Sequence, residues 1–206
     1  EGTHLLTINA YDTLDNYKRV NFVINVVLAR PEAPVINEPE DGIVTNKRQV
    51  IVIGQAAKNT YIEIYNNDLI AGNFMDVDGQ GYFRTPLTLN EGQNRIQATA
   101  SNQAGESLRS PAVTVTLDTR LPDVPGAVSA KAQAGGVIRI DWQKPMDATA
   151  YGYNLYRYTT AFSDVLKAEK VNINAIRVNR FDDVPPQDGT WYYRVTLVDT
   201  AGNESE

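Results

Sequence analysis

Three stretches of sequence decide the fold: EGTHLLTINAYDTLDN at residues 1–16, EGQNRIQATASNQAGE at residues 91–106, and DGTWYYRVTLVDTAGN at residues 188–203. They align without gaps. Each opens with an acidic residue and a glycine, alternates apolar with polar residues, and ends in Asp or Asn followed by a short turn. Gly2, Gly92 and Gly189 are 90 and 97 residues apart, a spacing that fits one β-sandwich domain per repeat.

The alternation within each copy predicts a strand with one buried face. Residues of one parity are apolar and their neighbours are polar, which is typical of a half-buried antiparallel strand. The apolar positions are Leu6, Ile8 and Ala10 in the first copy, Ile96, Ala98 and Ala100 in the second, and Trp191, Tyr193, Val195 and Leu197 in the third. The turns that follow contain Asp, Asn and Gly, which tolerate positive φ, so each strand should lead into a hairpin.

Further alternating segments surround the second and third copies, and Asn-, Asp- and Gly-rich turns separate them. The predicted strands are 50–55, 61–65, 69–74, 82–89, 94–101 and 112–117 in the middle of the chain, and 128–132, 137–142, 152–158, 175–181 and 191–198 after it. Residues 164–170 could form a helical turn but are interpreted as a loop. Short strands at this spacing, without a helical period, predict an all-β chain of tandem sandwiches.

Proline-containing linkers at residues 30–34 and 118–125 divide the chain into three predicted parts. Residues 1–30 form the C-terminal hairpin of a truncated domain, 31–119 form a complete domain, and 120–206 form a domain that lacks its last strand. A lone hairpin is barely stable, so the missing strands are expected to come from neighbouring parts of a longer protein. Proline stiffens such short connections, which favours a semi-rigid rod.

Composition excludes several functional classes. The net charge is −6, from 19 basic and 25 acidic residues, and no basic cluster suggests nucleic acid or an anionic membrane as a partner. The chain has no cysteine, which excludes disulfides and cysteine-based zinc sites. No apolar run is long enough to span a membrane, and the first residues do not resemble a signal peptide.

The third part resembles a bacterial fibronectin type III domain. The resemblance is carried by Pro122-Asp123-Val124-Pro125, Ile138-x-Ile140-x-Trp142-x-x-Pro145, Gly152-Tyr153-Asn154-Leu155-Tyr156-Arg157, and Asp188-Gly189-Thr190-Trp191-Tyr192-Tyr193-Arg194-Val195. It covers about residues 122–206. Trp191 stands where such domains more often have Tyr.

Residues 1–118 resemble bacterial immunoglobulin-like domains, whose recurring ending is Gly, an alternating strand, and Ala-x-Asp-x-x-Gly-Asn. The first copy has Ala10-x-Asp12 and then Asp15-Asn16, and the second has Ala100-x-Asn102 and then Gly105-Glu106. These resemblances imply an extracellular or surface-attached bacterial protein. They imply a non-catalytic structural or adhesion spacer that contacts neighbouring domains and possible surface protein or glycan. The alternatives are a carbohydrate-binding or accessory module of a secreted polysaccharide-degrading enzyme, and a subunit of an extracellular filament or layer.

The sequence offers weak candidates for a metal or catalytic site. Asp76-Val77-Asp78-Gly79-Gln80-Gly81 begins like a calcium loop, but the fifth position is Gln80 and the twelfth is Leu87, so a plain β-turn is favoured. His4 is the sole histidine, and no nucleophile or acid is paired with it in the sequence. No phosphate loop or nucleophile elbow is present. The chain is therefore interpreted as a non-enzyme without a cofactor.

Aromatic residues offer the other candidate site. Trp142 and Trp191 lie on the apolar parity of their strands, so core packing is favoured over sugar stacking. Tyr156, Tyr158 and Tyr192 have the opposite parity and could form an exposed strip that binds a ligand. Cross-strand pairing without a ligand is the favoured alternative.

Overall fold

The computed structural model describes residues 2–27, 29–72 and 75–206. Within these ranges the chain is all-β, as predicted. The strands there are β1 (Gly2–Tyr11), β2 (Tyr17–Val26), β3 (Val35–Glu38), β4 (Ile43–Thr45), β5 (Gln49–Gln55), β6 (Tyr61–Asn66), β7 (Leu69–Ile70), β8 (Met75–Asp76), β9 (Tyr82–Thr88), β10 (Gly92–Asn102), β11 (Gly105–Glu106), β12 (Val113–Leu117), β13 (Gly126–Ala132), β14 (Ile138–Gln143), β15 (Ala150–Tyr158), β16 (Glu169–Lys170), β17 (Arg180–Asp183) and β18 (Tyr192–Asp199). Short 3-10 turns occupy Ala134–Gly136 and Val165–Lys167. In the described ranges, no helix is long and apolar enough to cross a membrane.

The described residues fall into two compact units. The first unit draws on residues 1–40, 51–87 and 95–113, and the second draws on residues 41–50, 88–94 and 114–206. The first therefore contains the hairpin β1–β2, and the second contains β4, β12 from Thr114 onward, and all strands from β13 to β18. The predicted boundaries near residues 30 and 119 follow the linkers along the sequence. The units follow contacts in space, so the two divisions differ.

In the first unit, β1 and β2 form a two-stranded antiparallel sheet that runs from Gly2 opposite Val26 to Tyr11 opposite Tyr17. Its apolar face carries Leu6 opposite Phe22, and these side chains are 46% and 48% exposed. The equivalent position in the second copy, Ile96, is fully buried. The same strand pattern therefore lies in a packed core in one copy and on the surface in the other.

In the middle part of the chain, the strands form one sheet with the path β4-β12-β10-β6-β7, which β8 and β11 extend, and another with the order β3-β5-β9. The alternation in β9 buries Phe83, Thr85 and Leu87 and exposes the residues between them. Asn67 and Asp68 both have positive φ, at 50° and 66°. Two such residues in succession form the tight hairpin turn between β6 and β7, as the sequence predicts.

The C-terminal part, in the second unit, has two three-stranded sheets with the orders β13-β14-β17 and β16-β15-β18. Its core contains Ile140, Trp142, Tyr153, Ile176 and Leu197, among others. The rings of Trp142 and Tyr153 meet edge to face, with centroids 5.2 Å apart, a favourable geometry for aromatic pairs.

Two predicted strands are shorter than expected. The strand predicted at 69–74 ends at Ile70 and pairing resumes at Met75; Asn73 and Phe74, which the prediction included, lie outside the described residues. The strand predicted at 175–181 begins only at Arg180. Before it, Ile176 forms an isolated bridge with Tyr153. Residues 164–170, interpreted as a loop, contain a 3-10 turn, where Asp164 Oδ1 accepts a hydrogen bond from the Leu166 N–H at 3.0 Å, and the short strand β16.

Candidate functional site

The third copy of the repeated turn closes on itself and also holds an earlier part of the chain. Asp199 Oδ1 accepts a hydrogen bond from the Asn203 backbone N–H at 2.8 Å, and Asp199 Oδ2 accepts from Asn203 Nδ2 at 2.8 Å. Asn203 Nδ2 also donates to the carbonyl oxygen of Asp118 at 2.9 Å. Asp118 directly follows β12. The turn after β18 therefore binds the chain where β12 ends, within the second unit.

Two further backbone hydrogen bonds fix the turn after β18 in this position. The Asn46 N–H donates to the carbonyl of Ala201 at 3.1 Å, and the Thr200 N–H donates to the carbonyl of Thr149 at 2.9 Å. Gly202 has a φ of +90°, which suits a residue without a Cβ. The turn thus has partners on both sides, and each is a main-chain group.

The second copy of the turn makes the same kind of contact in the first unit. Asn102 Oδ1 accepts from the Ala104 N–H at 2.8 Å, and Asn102 Nδ2 donates to the carbonyl of Ala29 at 2.9 Å. Gly105 has a φ of +124°, and a Cβ built on it would lie 3.0 Å from Nε of Arg30. Glycine therefore lets residues 29 and 30 approach the turn closely.

The first copy has the closed turn but no contact of this kind in the described residues. Asp12 Oδ1 accepts from the N–H groups of Leu14 at 2.8 Å and Asn16 at 3.0 Å, and Asp12 Oδ2 accepts from Asn16 Nδ2 at 3.0 Å. These bonds lower the pKa of Asp12, the Asn16 side chain making the largest contribution. Asp15, with a φ of 60°, takes the place of the turn glycine.

A buried ion pair organises the C-terminal sandwich. Arg157, only 8% exposed, donates through Nη1 to both carboxylate oxygens of Asp183 at 2.8 and 3.0 Å. Its Nε and Nη2 donate to Glu169, each at 3.0 Å. The hydroxyl of Tyr193 donates to Asp183 at 2.7 Å, and burial together with this bond raises the pKa of Tyr193. The guanidinium lies 5.5 Å from the centroid of the Trp191 ring.

The prediction that Tyr156, Tyr158 and Tyr192 form an exposed strip is wrong for Tyr156. Tyr156 is only 9% exposed, and Glu204 accepts a hydrogen bond from its hydroxyl at 2.8 Å. Burial, followed by this bond, raises the pKa of Tyr156 to about 12. Glu204 also accepts from the Thr196 hydroxyl. Burial would raise the pKa of Glu204, but the donors around it outweigh that effect and lower it.

Tyr158 and Tyr192 do lie together on the surface. They are register partners in β15 and β18, and they are 41% and 42% exposed. The ring of Phe162 meets Tyr158 edge to face at 6.2 Å. The exposed aromatic patch therefore consists of Tyr158, Tyr192 and the partly buried Phe162.

The two tryptophans occupy different environments. Trp142 is 3% exposed and belongs to the core, as predicted. Trp191 precedes β18 and is half-buried, which corrects its expected place in the core. Its Nε1 donates to the carbonyl of Gln187 at 3.2 Å. The charged guanidinium of Arg157 lies beside its ring.

The remaining candidates are dispersed. Asp76 lies in β8 opposite Tyr61, while Asp78 Oδ1 accepts from the N–H groups of Gln80 and Tyr82 at 2.9 and 2.8 Å. Backbone hydrogen bonds, chiefly that from Tyr82, lower the pKa of Asp78. His4 is exposed in β1 opposite Ile24. Among the described residues, no three His, Cys, Asp or Glu side chains form a group suited to a metal.

Sequence comparisons match two parts of known proteins to this chain. Residues 31–119 match the family described as Glucodextranase, domain B. Over 105 residues, or 50% of this chain, the sequence is 36% identical to Bacillopeptidase F of Bacillus subtilis (strain 168). The match spans only 7% of the length of that protein.

Solved structures with a similar fold contain several consecutive domains. The FN1–FN3 domains of chicken CNTN1 match with a TM-score of 0.57 and 15% identity, covering 98% of this chain and 71% of that one. Domains A168–A170 from titin match with a TM-score of 0.60 and 13% identity, covering 99% and 71%. At such low identity the likeness establishes the fold alone. It confirms the predicted tandem of immunoglobulin-like and fibronectin type III-like sandwiches.

Proposed function

We propose that this chain is a non-catalytic spacer segment of a larger secreted or cell-surface bacterial protein. The observation that carries the proposal is the repeated turn, which in two copies binds the main chain of a preceding linker. Asn102 holds the carbonyl of Ala29, and Asn203 holds that of Asp118, both at 2.9 Å. A spacer must resist bending at its linkers, and a hydrogen bond from the domain body to the linker opposes such bending.

The comparisons support a place within a larger protein. The matched half of the chain covers 7% of Bacillopeptidase F, and the family matched by residues 31–119 is named as one domain of a glucodextranase. Both names are those of enzymes, and in each the matched segment is one part of the protein. A role in holding other domains apart is consistent with both, and with the scattered positions of the acidic residues and the single histidine.

Distances between spin labels test the spacer function in the second unit. The chain has no cysteine, so Val44→Cys in β4 and Lys131→Cys in β13 provide two unique, exposed labelling sites on strands. We expect one narrow distance distribution, which Asn203→Ala broadens because the bond to Asp118 is lost.

Asn16→Ala is the matched control for Asn203→Ala. It removes the same internal bond to an Asp, at Asp12, but no linker contact, so the distribution should stay narrow. A broad distribution in the unsubstituted chain would contradict a spacer with a fixed linker. So would an Asn203→Ala chain with an unchanged distribution.

A second candidate function is an accessory, glycan-binding module of a secreted enzyme. The specific observation in its favour is the exposed pair Tyr158 and Tyr192, because neighbouring aromatic rings can stack on sugars. On a glycan array, this function predicts binding that is lost when Tyr158→Ala and Tyr192→Ala are combined. Tyr156→Phe keeps the buried ring and should leave that binding intact. If no glycan on the array bound the chain, this second function would be ruled out and the spacer function would remain.

A further inference from the structure

Each of the three repeated turns has one side-chain amide, at either its first or its fifth position. The first and fifth turn positions are Asp12 and Asn16, Asn102 and Glu106, and Asp199 and Asn203. Each pair contains one asparagine. In the second copy the fifth residue is Glu, which has no N–H to donate, and the amide is at the first position instead.

In two copies this single amide donates to the same kind of acceptor, a main-chain carbonyl. Asn203, at the fifth position, donates to the carbonyl of Asp118, which follows β12. Asn102, at the first position, donates to the carbonyl of Ala29, which follows β2 by three residues. The position of the asparagine changes, but the acceptor remains a main-chain carbonyl just beyond the last strand of the preceding hairpin or sandwich.

The first turn has the geometry of the third. The bond from Asn16 Nδ2 to Asp12 Oδ2 is 3.0 Å long, and its counterpart in the third turn is 2.8 Å long. In the third turn the second amide hydrogen is the one that reaches Asp118. In the described residues, the second amide hydrogen of Asn16 has no acceptor, and Asn16 is exposed.

We propose that the turn from Asp12 to Asn16 is a docking surface for another β-sandwich, and that Asn16 binds a main-chain carbonyl just after the last strand of that sandwich. The inference rests on the proposed spacer function and adds a third joint, meaning a third contact between a repeated turn and a linker carbonyl, to those of Asn102 and Asn203. The partner is recognised by main-chain chemistry, so its side chains need not be specified. The carboxylate of Asp12 holds the amide in place before the partner arrives, which lowers the entropy cost of binding.

An in-phase extension of the full chain supplies the main-chain carbonyl that such a partner would offer. Because Glu91 aligns with Glu1, a second copy of residues 27–90 placed before Glu1 gives the hairpin a complete set of preceding strands, with its own Ala29 carbonyl. We expect hydrogen exchange of the Asn16 side-chain amide, followed by NMR, to become about tenfold slower than in the unextended chain, as one hydrogen bond implies. Burial of Leu6 and Ile8, seen in their methyl shifts, reports that the added strands have folded.

The outcomes separate this proposal from the spacer function. If Leu6 and Ile8 become buried while Asn16 exchanges as before, the docking surface is overturned, and slow exchange at Asn203 leaves the spacer function standing. Fast exchange of the side-chain amides of Asn16 and Asn203 would overturn the docking surface and the spacer function together. Asn16→Ser in the extended chain is the control, since its hydroxyl can still donate to Asp12 but cannot also hold the partner's carbonyl, so the fold should remain and the joint should loosen.

A graft decides the matter if the added strands do not fold. Ala201→Leu with Gly202→Asp converts the third turn into the sequence of the first, Asp-Thr-Leu-Asp-Asn. We expect the Asn203 side-chain amide to remain slow to exchange, because the first-turn sequence is competent to hold a carbonyl. A protected Asn203 backbone amide with a fast side-chain amide would show a closed turn that cannot dock, and would overturn the proposal.

Discussion

Arg157→Ala is expected to lower the free energy of unfolding of the C-terminal sandwich by about 3–5 kcal/mol, the usual effect of removing one partner of a buried ion pair. The substitution leaves Asp183, whose side chain is 4% exposed, with the hydroxyl of Tyr193 as its remaining hydrogen-bond donor in the described part of the chain. Because a buried carboxylate without a counter-charge is strongly disfavoured, the loss should exceed that of the hydrogen bonds alone. Trp142 and Trp191 both lie in this sandwich, so their fluorescence during urea unfolding reports it selectively.

Arg139→Ala is the matched control. Arg139 pairs with Asp182, the residue next to Asp183, at 2.8 and 2.9 Å, but the two side chains are 38% and 45% exposed. Solvent screens an exposed pair of this kind, so it contributes little to the free energy of unfolding. If Arg139→Ala and Arg157→Ala lowered stability equally, burial would not be the cause.

Asn94→Ala is expected to destabilise the middle sandwich by about 3 kcal/mol, since it removes the side chain that bonds backbone groups of Asn90, Gly92 and Val115 and leaves the buried carbonyl of Val115 without this donor. Asn94 is fully buried. Its Oδ1 accepts from the Asn90 N–H at 2.8 Å, and its Nδ2 donates to the carbonyls of Asn90, Gly92 and Val115 at 2.7, 2.9 and 3.4 Å. One amide thus ties the turn before β10 to β12.

Scanning calorimetry measures this effect, with Thr88→Ala as the control. Thr88 is exposed at the end of β9, so its truncation should change stability by less than about 0.5 kcal/mol. Asn94→Asp should not rescue the loss, because a second carboxylate oxygen would face the carbonyls of Asn90 and Gly92. A change below about 1 kcal/mol for Asn94→Ala would show that water or backbone movement satisfies these groups.

Much of the fold follows from local sequence because it depends on period-two alternation and turn chemistry. The strands β9, β10 and β12 and the turn at Asn67 and Asp68 were predictable on that basis. The strand expected at 175–181 was not, because only tertiary contacts decide which of its residues pair. Ile176 meets Tyr153 by an isolated bridge, and pairing with β14 begins only at Arg180.

The candidate site was less predictable, since its contacts join residues distant in sequence. Arg157 has the same parity in β15 as the buried Leu155 and lies one residue before the end of the strand. A charged residue at a core position is a signal that sequence reasoning could have used. Its partner Asp183 could not be chosen among 25 acidic residues. The hydroxyl of Tyr156 likewise donates to Glu204, 48 residues away.

Hydrogen exchange of two side-chain amides in the unmodified chain tests the central claim most directly. The claim is that the repeated turn holds the linker of a preceding sandwich through one asparagine. It predicts that the side-chain amide of Asn203, which donates to Asp199 and to the linker carbonyl of Asp118, exchanges about tenfold more slowly than that of Asn16, which keeps the bond within the turn but lacks the linker bond. Equal exchange rates at Asn16 and Asn203 would contradict it, because the turns would then close without holding the chain before them.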